Sequence, residues 1–182
     1  MSHFFEVCEK PKHKVFISFY HSDDSVYKEY IDDYLSDNII NKSVKDGEYD
    51  SENSDGYVKR LIREEKVSDS SVVVVLVGPN TWKRKHIDWE IYAGLSVKVN
   101  SNAGLVGVLL PKFPLLSNGN YLYKDLPGRL ADNVKTGYAD IYLWNYFISN
   151  FDRIIENAFK NRINRRNLID NSRLQLQKNL GH

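Results

Sequence analysis

The chain has 182 residues, 42% hydrophobic and 27% charged, the proportions of an ordinary globular protein rather than a disordered or membrane-embedded one. With 25 basic residues against 24 acidic ones the formal charge is +1, so no overall field draws in nucleic acid or an anionic membrane, and neither is expected as a partner. One cysteine, Cys8, excludes an internal disulfide and a cysteine zinc site. That suits a reducing compartment, and with no signal-peptide core in Met1 to Lys14 and no apolar run of the roughly 18 to 20 residues a bilayer crossing needs, the expected location is cytoplasmic.

The run Lys14-Val15-Phe16-Ile17-Ser18-Phe19-Tyr20 is β-branched and aromatic, and polar His21-Ser22-Asp23-Asp24 follows at once, which predicts a buried strand ending in a loop. From Ser25, apolar Val26, Tyr30, Ile31, Tyr34 and Leu35 recur at helical spacing, with Asp23 and Asp24 read as cap and solvated loop residues. Asn38 to Gly56 is polar and too long for a tight turn, so a mobile loop is expected there. Tyr57 to Lys66 has helical spacing again. Val72 to Val77 is an unbroken apolar run, the mark of a central strand covered on both faces of a parallel sheet.

A third helix is expected over about Lys83 to Val97, then a buried strand over Gly104 to Leu110. Beyond Pro111 the pattern weakens: Lys112 to Gly137 reads as a long irregular segment, Ile141 to Trp144 as a short edge strand, and Phe147 to Ile163 as a helix. The alternation predicts a doubly wound α/β fold of flavodoxin-like type, with a mainly parallel five-stranded sheet, helices on both faces and a C-terminal helical extension. The expected division is an N-terminal segment over 1–13, one domain over 14–163, and a polar tail or helix extension over 164–182.

Ligands of open α/β sheets bind outside the carboxyl ends of the strands. That rule gathers Phe19, Tyr20, His21, Asp23 and Asp24 after the first strand and Gly78, Pro79, Asn80, Thr81 and Trp82 after the central one. In the helix that follows, His86 and Glu90 lie four apart, with Trp89 beside Glu90. On pattern alone Glu90 reads either as half of an ion pair or as a carboxylate aimed at a ligand. The basic run Lys83-Arg84-Lys85 reads as a solvated helix start, with phosphate contact as the alternative. No glycine-rich phosphate loop follows any strand.

Taken in order, Val15 to Phe19, the acidic pair, the long polar loop, the Val72 to Val77 strand and Trp82 through Glu90 resemble a TIR-like domain, specifically that of bacterial Thoeris anti-phage defence. The resemblance covers about Lys14 to Leu110. It implies NAD⁺ as substrate, with no cofactor or metal, and a catalytic glutamate matching Glu90, which would stabilise the oxocarbenium character left on the ribose when nicotinamide departs. It also implies that ADP-ribose closes on itself and that the cyclic product activates a separate effector protein. Phe19, Tyr20 and Trp82 would offer flat surfaces to the bases, with His21 and Asn80 as polar contacts. A phage-derived trigger and self-assembly complete the implied partners. The contending reading keeps the fold but makes it a non-enzymatic scaffold acting through protein assembly. A phospho-receiver reading fails at Val77-Gly78-Pro79-Asn80, where no aspartate stands to be phosphorylated.

Overall fold

The computed structural model describes residues 12–42, 64–96 and 102–181. Five strands form one sheet: β1 (His13–Ser18), β2 (Ile39–Asn41), β3 (Val72–Val77), β4 (Gly104–Leu109) and β5 (Asp140–Leu143). Their order is β2-β1-β3-β4-β5 and every neighbouring pair is parallel. This is the flavodoxin-like order. β3 is central, as its composition predicts, and all six of its residues are buried. Each such side chain contributes about 1.5 to 3 kcal/mol relative to exposure.

Strand side chains alternate between faces, and the two faces carry different helices. Phe16, Val73, Val75, Val77, Leu105 and Leu109 pack with Ile87 and Ile91 of α2 (Lys85–Leu95) and Leu130 of α3 (Gly128–Thr136). Val15, Ile17, Val72, Val74, Leu76, Val106 and Val108 pack with Ile31 of α1 (His21–Tyr34), Phe147 of α4 (Trp144–Ser149), and Phe151, Ile154 and Ile155 of α5 (Phe151–Asn164).

Several boundaries differ from the expected ones. α1 starts at His21, with Tyr20 in the N-cap position and no side-chain cap, and Asp24, expected as a cap or loop residue, is buried within its first turns. Within the expected loop Asn38 to Gly56, Ile39–Asn41 instead form the edge strand β2, recruited by parallel pairing with His13, Lys14 and Val15; 43–56 lies outside the described residues. Residues 64–68 are helical, while the start of the helix expected from Tyr57 lies outside. α2 is shorter than expected: a 3₁₀ turn at Thr81–Lys83 and an extended Arg84 precede it. α3 is a helix where an irregular segment was expected. Pro127 stands just before its first residue and Gly137, at φ 82°, just after its last, the pairing that starts and stops helices. The expected helix Phe147 to Ile163 is two helices, broken at Asn150.

The largest difference is the C-terminal segment. The chain does not continue as helix: after α5 and a 3₁₀ turn at Arg166–Leu168 it runs as a non-helical strap back across α2 and α3. Arg129, fully buried, pairs with Asp88 at 3.0 Å and donates to the backbone carbonyls of Asn171 and Arg173. Asn133 and Asp170 exchange bonds, side-chain amide to carbonyl and backbone N–H to amide oxygen. The Leu176 N–H donates to Asp88, its carbonyl accepts the Trp89 indole N–H, and the Leu180 N–H closes on the Lys83 carbonyl. Among the described residues no helix is long and apolar enough to cross a membrane.

Candidate functional site

Ser18 ends β1 with the same facing as Phe16, toward α2. There it meets Glu90, which is buried in the middle of that helix, and the Ser18 hydroxyl donates to Glu90 Oε2 at 2.6 Å. A carboxylate thus stands under the carboxyl end of β1, where open α/β sheets bind ligands.

Asp24, in the first turns of α1, forms a second buried carboxyl at this edge. It accepts from the Thr81 hydroxyl at 3.1 Å, which in turn accepts the Gly78 N–H at 2.8 Å. The approach is tight: a Cβ at position 78 would stand 2.4 Å from Asp24 Oδ1, so only glycine fits. Burial pushes the Asp24 carboxyl up from 3.8 to about 6, with the neighbouring charge of Asp23 acting the same way, while the Thr81 hydrogen bond and the charge of Lys112 oppose the shift. Beside it, Asn80 donates to Asp23 at 2.9 Å, and the Arg84 guanidinium lies 3.8 Å above the Tyr20 ring. The junction of β1 with α1 and the segment after β3 are therefore stapled at three points.

Comparison with protein families gives a match over residues 16–113, to the family described as Thoeris protein ThsB, TIR-like domain, and that span is just over half of the chain. The chain belongs to this family. A comparison with curated proteins finds no match. The matched span of the TIR-like domain runs from β1 past β4, includes Ser18, Asp24, Thr81 and Glu90, and leaves α3, β5, α4, α5 and the strap outside. Membership places the chain in Thoeris anti-phage defence.

The TIR-like fold brings some of the expected site residues together and parts others. Tyr20, Asn80 and Glu90 gather at the carboxyl edges of β1 and β3. Phe19 does not join them: it is buried in the layer shared with α1 and α5, its ring 4.2 Å from that of His21. Trp82 is half-buried with the Lys83 ammonium 5.4 Å from its ring centre. Trp89 is turned to the strap, where its indole N–H is bonded. Sequence reasoning placed Asp24 and Thr81 at this edge but read Asp24 as a cap or solvated residue, and it passed over Ser18 at the site and Asp88 beneath the strap. Ser18 was legible from its parity with Phe16 and from being the one polar side chain of a buried strand end. The buried roles of Asp24 and Asp88 were not, because an acid near a helix start or on a helix reads as a solvated residue until its partner from elsewhere in the chain is known.

Proposed function

We propose that this TIR-like domain cleaves the nicotinamide–ribose bond of NAD⁺ and converts the remainder to a cyclic ADP-ribose isomer, which serves as a diffusible signal to a separate effector protein. The observation that carries this reading is the buried Glu90 carboxylate held by Ser18 at the ligand-binding edge of the sheet. The bond to nicotinamide breaks with both electrons going to the ring nitrogen, which discharges the pyridinium and makes nicotinamide a good leaving group. Positive charge then develops on the ribose, and Glu90 stabilises it while accepting from ribose hydroxyls. Ser18 fixes the carboxylate from the opposite side. A nucleophilic atom of the same ADP-ribose attacks the anomeric carbon and sheds a proton, a step governed by positioning and by exclusion of water. Tyr20, His21, Asn80 and Trp82 are the proposed contacts to substrate, with Phe19 supporting the loop from beneath. A phage-derived trigger and self-assembly remain part of the proposal.

Incubating purified protein with NAD⁺ and resolving the products by mass spectrometry tests it. The unsubstituted protein yields free nicotinamide and a cyclic product, and Glu90→Gln lowers the rate by about a hundredfold to a thousandfold, the usual effect of removing one such electrostatic contact. Equal rates in the two proteins overturn the assignment of Glu90. On the scaffold reading Glu90→Gln leaves anti-phage protection intact.

A further inference from the structure

Lys83, Arg84 and Lys85 stand together at the start of α2, and among the described residues no carboxylate is paired with any of them. For the helix itself the placement is unfavourable: three like charges repel one another and sit at the positive end of the helix dipole. Three other arginines are matched to acids, Arg129 to Asp88, Arg165 to Asp140 and Arg173 to Asp132. Arg84 instead lies flat on Tyr20, 3.8 Å from the ring centre, and its Nε is closed off from solvent with no hydrogen-bond partner. Stacking fixes the plane of a guanidinium, so that the in-plane N–H groups of its two terminal nitrogens form a fork that suits phosphate oxygens.

The location favours the same ligand chemistry. Tyr20 follows β1 and Arg84 follows the loop after β3, so the stacked pair bridges the edge where Glu90 is held. Asn80, four residues before Arg84, is anchored by Asp23, and the charge of Lys112 reaches Asp24 from the loop after β4. A dinucleotide whose ribose meets Glu90 carries two anionic phosphates that need cations along this edge, and the chain has no glycine-rich loop to supply backbone N–H groups instead.

We propose that Arg84, held flat on Tyr20, is the receptor for the diphosphate of the dinucleotide substrate; this rests on the reading of NAD⁺ as that substrate. Tyr20 then offers a base only the face that Arg84 leaves uncovered, and its first task is to orient the guanidinium.

Two measurements on the full chain test the assignment separately from the reaction. Inorganic pyrophosphate is titrated by calorimetry at low salt into the unsubstituted protein, Arg84→Gln, Arg84→Lys and Tyr20→Leu. Arg84→Gln weakens binding at least about tenfold, the effect of losing a charge-assisted hydrogen bond, and Arg84→Lys recovers part of it because charge returns without the fork. Tyr20→Leu falls between. In the Glu90→Gln background, where NAD⁺ is consumed only slowly, Arg84→Gln raises the Kd for NAD⁺ by a similar factor and leaves that for nicotinamide riboside, which has no phosphate, unchanged. Pyrophosphate affinity that is equal in the unsubstituted protein and Arg84→Gln overturns the proposal, as does an equal loss for NAD⁺ and the riboside. Arg84-dependent pyrophosphate binding in a protein that leaves NAD⁺ untouched keeps the anion site and removes NAD⁺ as its substrate.

Discussion

The hydroxyl of Ser18 sits 2.6 Å from Oε2 of Glu90, so the last residue of β1 holds a carboxylate borne by a helix 72 positions further along the chain. Ser18→Ala removes the donor and leaves that oxygen buried with one bond fewer, a loss of about 1 to 3 kcal/mol in a urea titration. On the proposed reading of the site, product formation from NAD⁺ falls with it. In the Glu90→Gln background the same substitution costs less stability, because a neutral amide oxygen needs the bond less than a carboxylate does. Additive losses in this double-mutant cycle show that the two side chains do not act together.

Asp24 supplies a pH signature. Its folded pKa is raised, so the folded protein keeps this proton up to about pH 6 whereas the unfolded chain gives it up near 3.8. The folded state binds more protons between those values, and stability from this group therefore falls as pH climbs from about 4 to 6, with the full penalty of about 3 kcal/mol present above. Asp24→Asn abolishes that fall. Plotted as the difference between the two proteins, stability turns in favour of the variant from pH 4 to pH 7, and the carboxylates whose pKa values are lowered, Asp69, Glu156 and Asp170, cancel from the comparison. A flat difference across that range refutes the buried, protonated carboxyl.

Gly78→Ala places a methyl group 2.4 Å from Asp24 Oδ1 and forces the carboxyl out of its site. The expected loss is about 1 to 3 kcal/mol, the usual result of overpacking a buried position. Shortening the partner by Asp24→Ala makes room, so the double substitution loses less than the sum of the two. Thermal melts of the four proteins measure this, and simple additivity sinks the clash as the cause.

Arg129→Met leaves the Asp88 carboxylate buried without its cation, a change that costs about 3 to 5 kcal/mol where a buried pair is broken on one side only. It also frees the strap carbonyls of Asn171 and Arg173. Hydrogen exchange along 171–180 should accelerate well before global unfolding, and Trp89 fluorescence should report the loss of its bond to Leu176. Unchanged exchange there shows that the strap is held without Arg129.

Sequence reading reached the parts of the fold that rest on runs of apolar residues. The β3 run could only be a doubly covered strand, and the Ile87 and Ile91 stripe could only be the inner face of a helix. It missed what rests on pairing across distance. Ile39–Asn41 is too short to show a period, and only the register with His13 to Val15 makes it a strand. The strap is polar, so its composition suggests a frayed end, yet its backbone groups meet Asp88, Trp89, Arg129 and Asn133, all of them far earlier in the chain. Glu90 was legible as a pointed carboxylate, whereas its contact with Ser18 and the opposite facing of Phe19 follow from strand parity, which is present in the sequence and decides which side chains share a layer.

The strap also imposes an order on synthesis. Asn179 accepts the N–H of Lys85, the residue that opens the Glu90 helix, from 94 positions downstream. At about 5 to 20 residues per second, a ribosome takes roughly 5 to 19 seconds to cover that stretch. Throughout that interval the nascent chain has the central strand and the glutamate but not the segment that fastens their helix, so an aborted or truncated translation product lacks its fastening permanently. The helix that carries Glu90 therefore packs on the sheet before the strap is there to fasten its first turn.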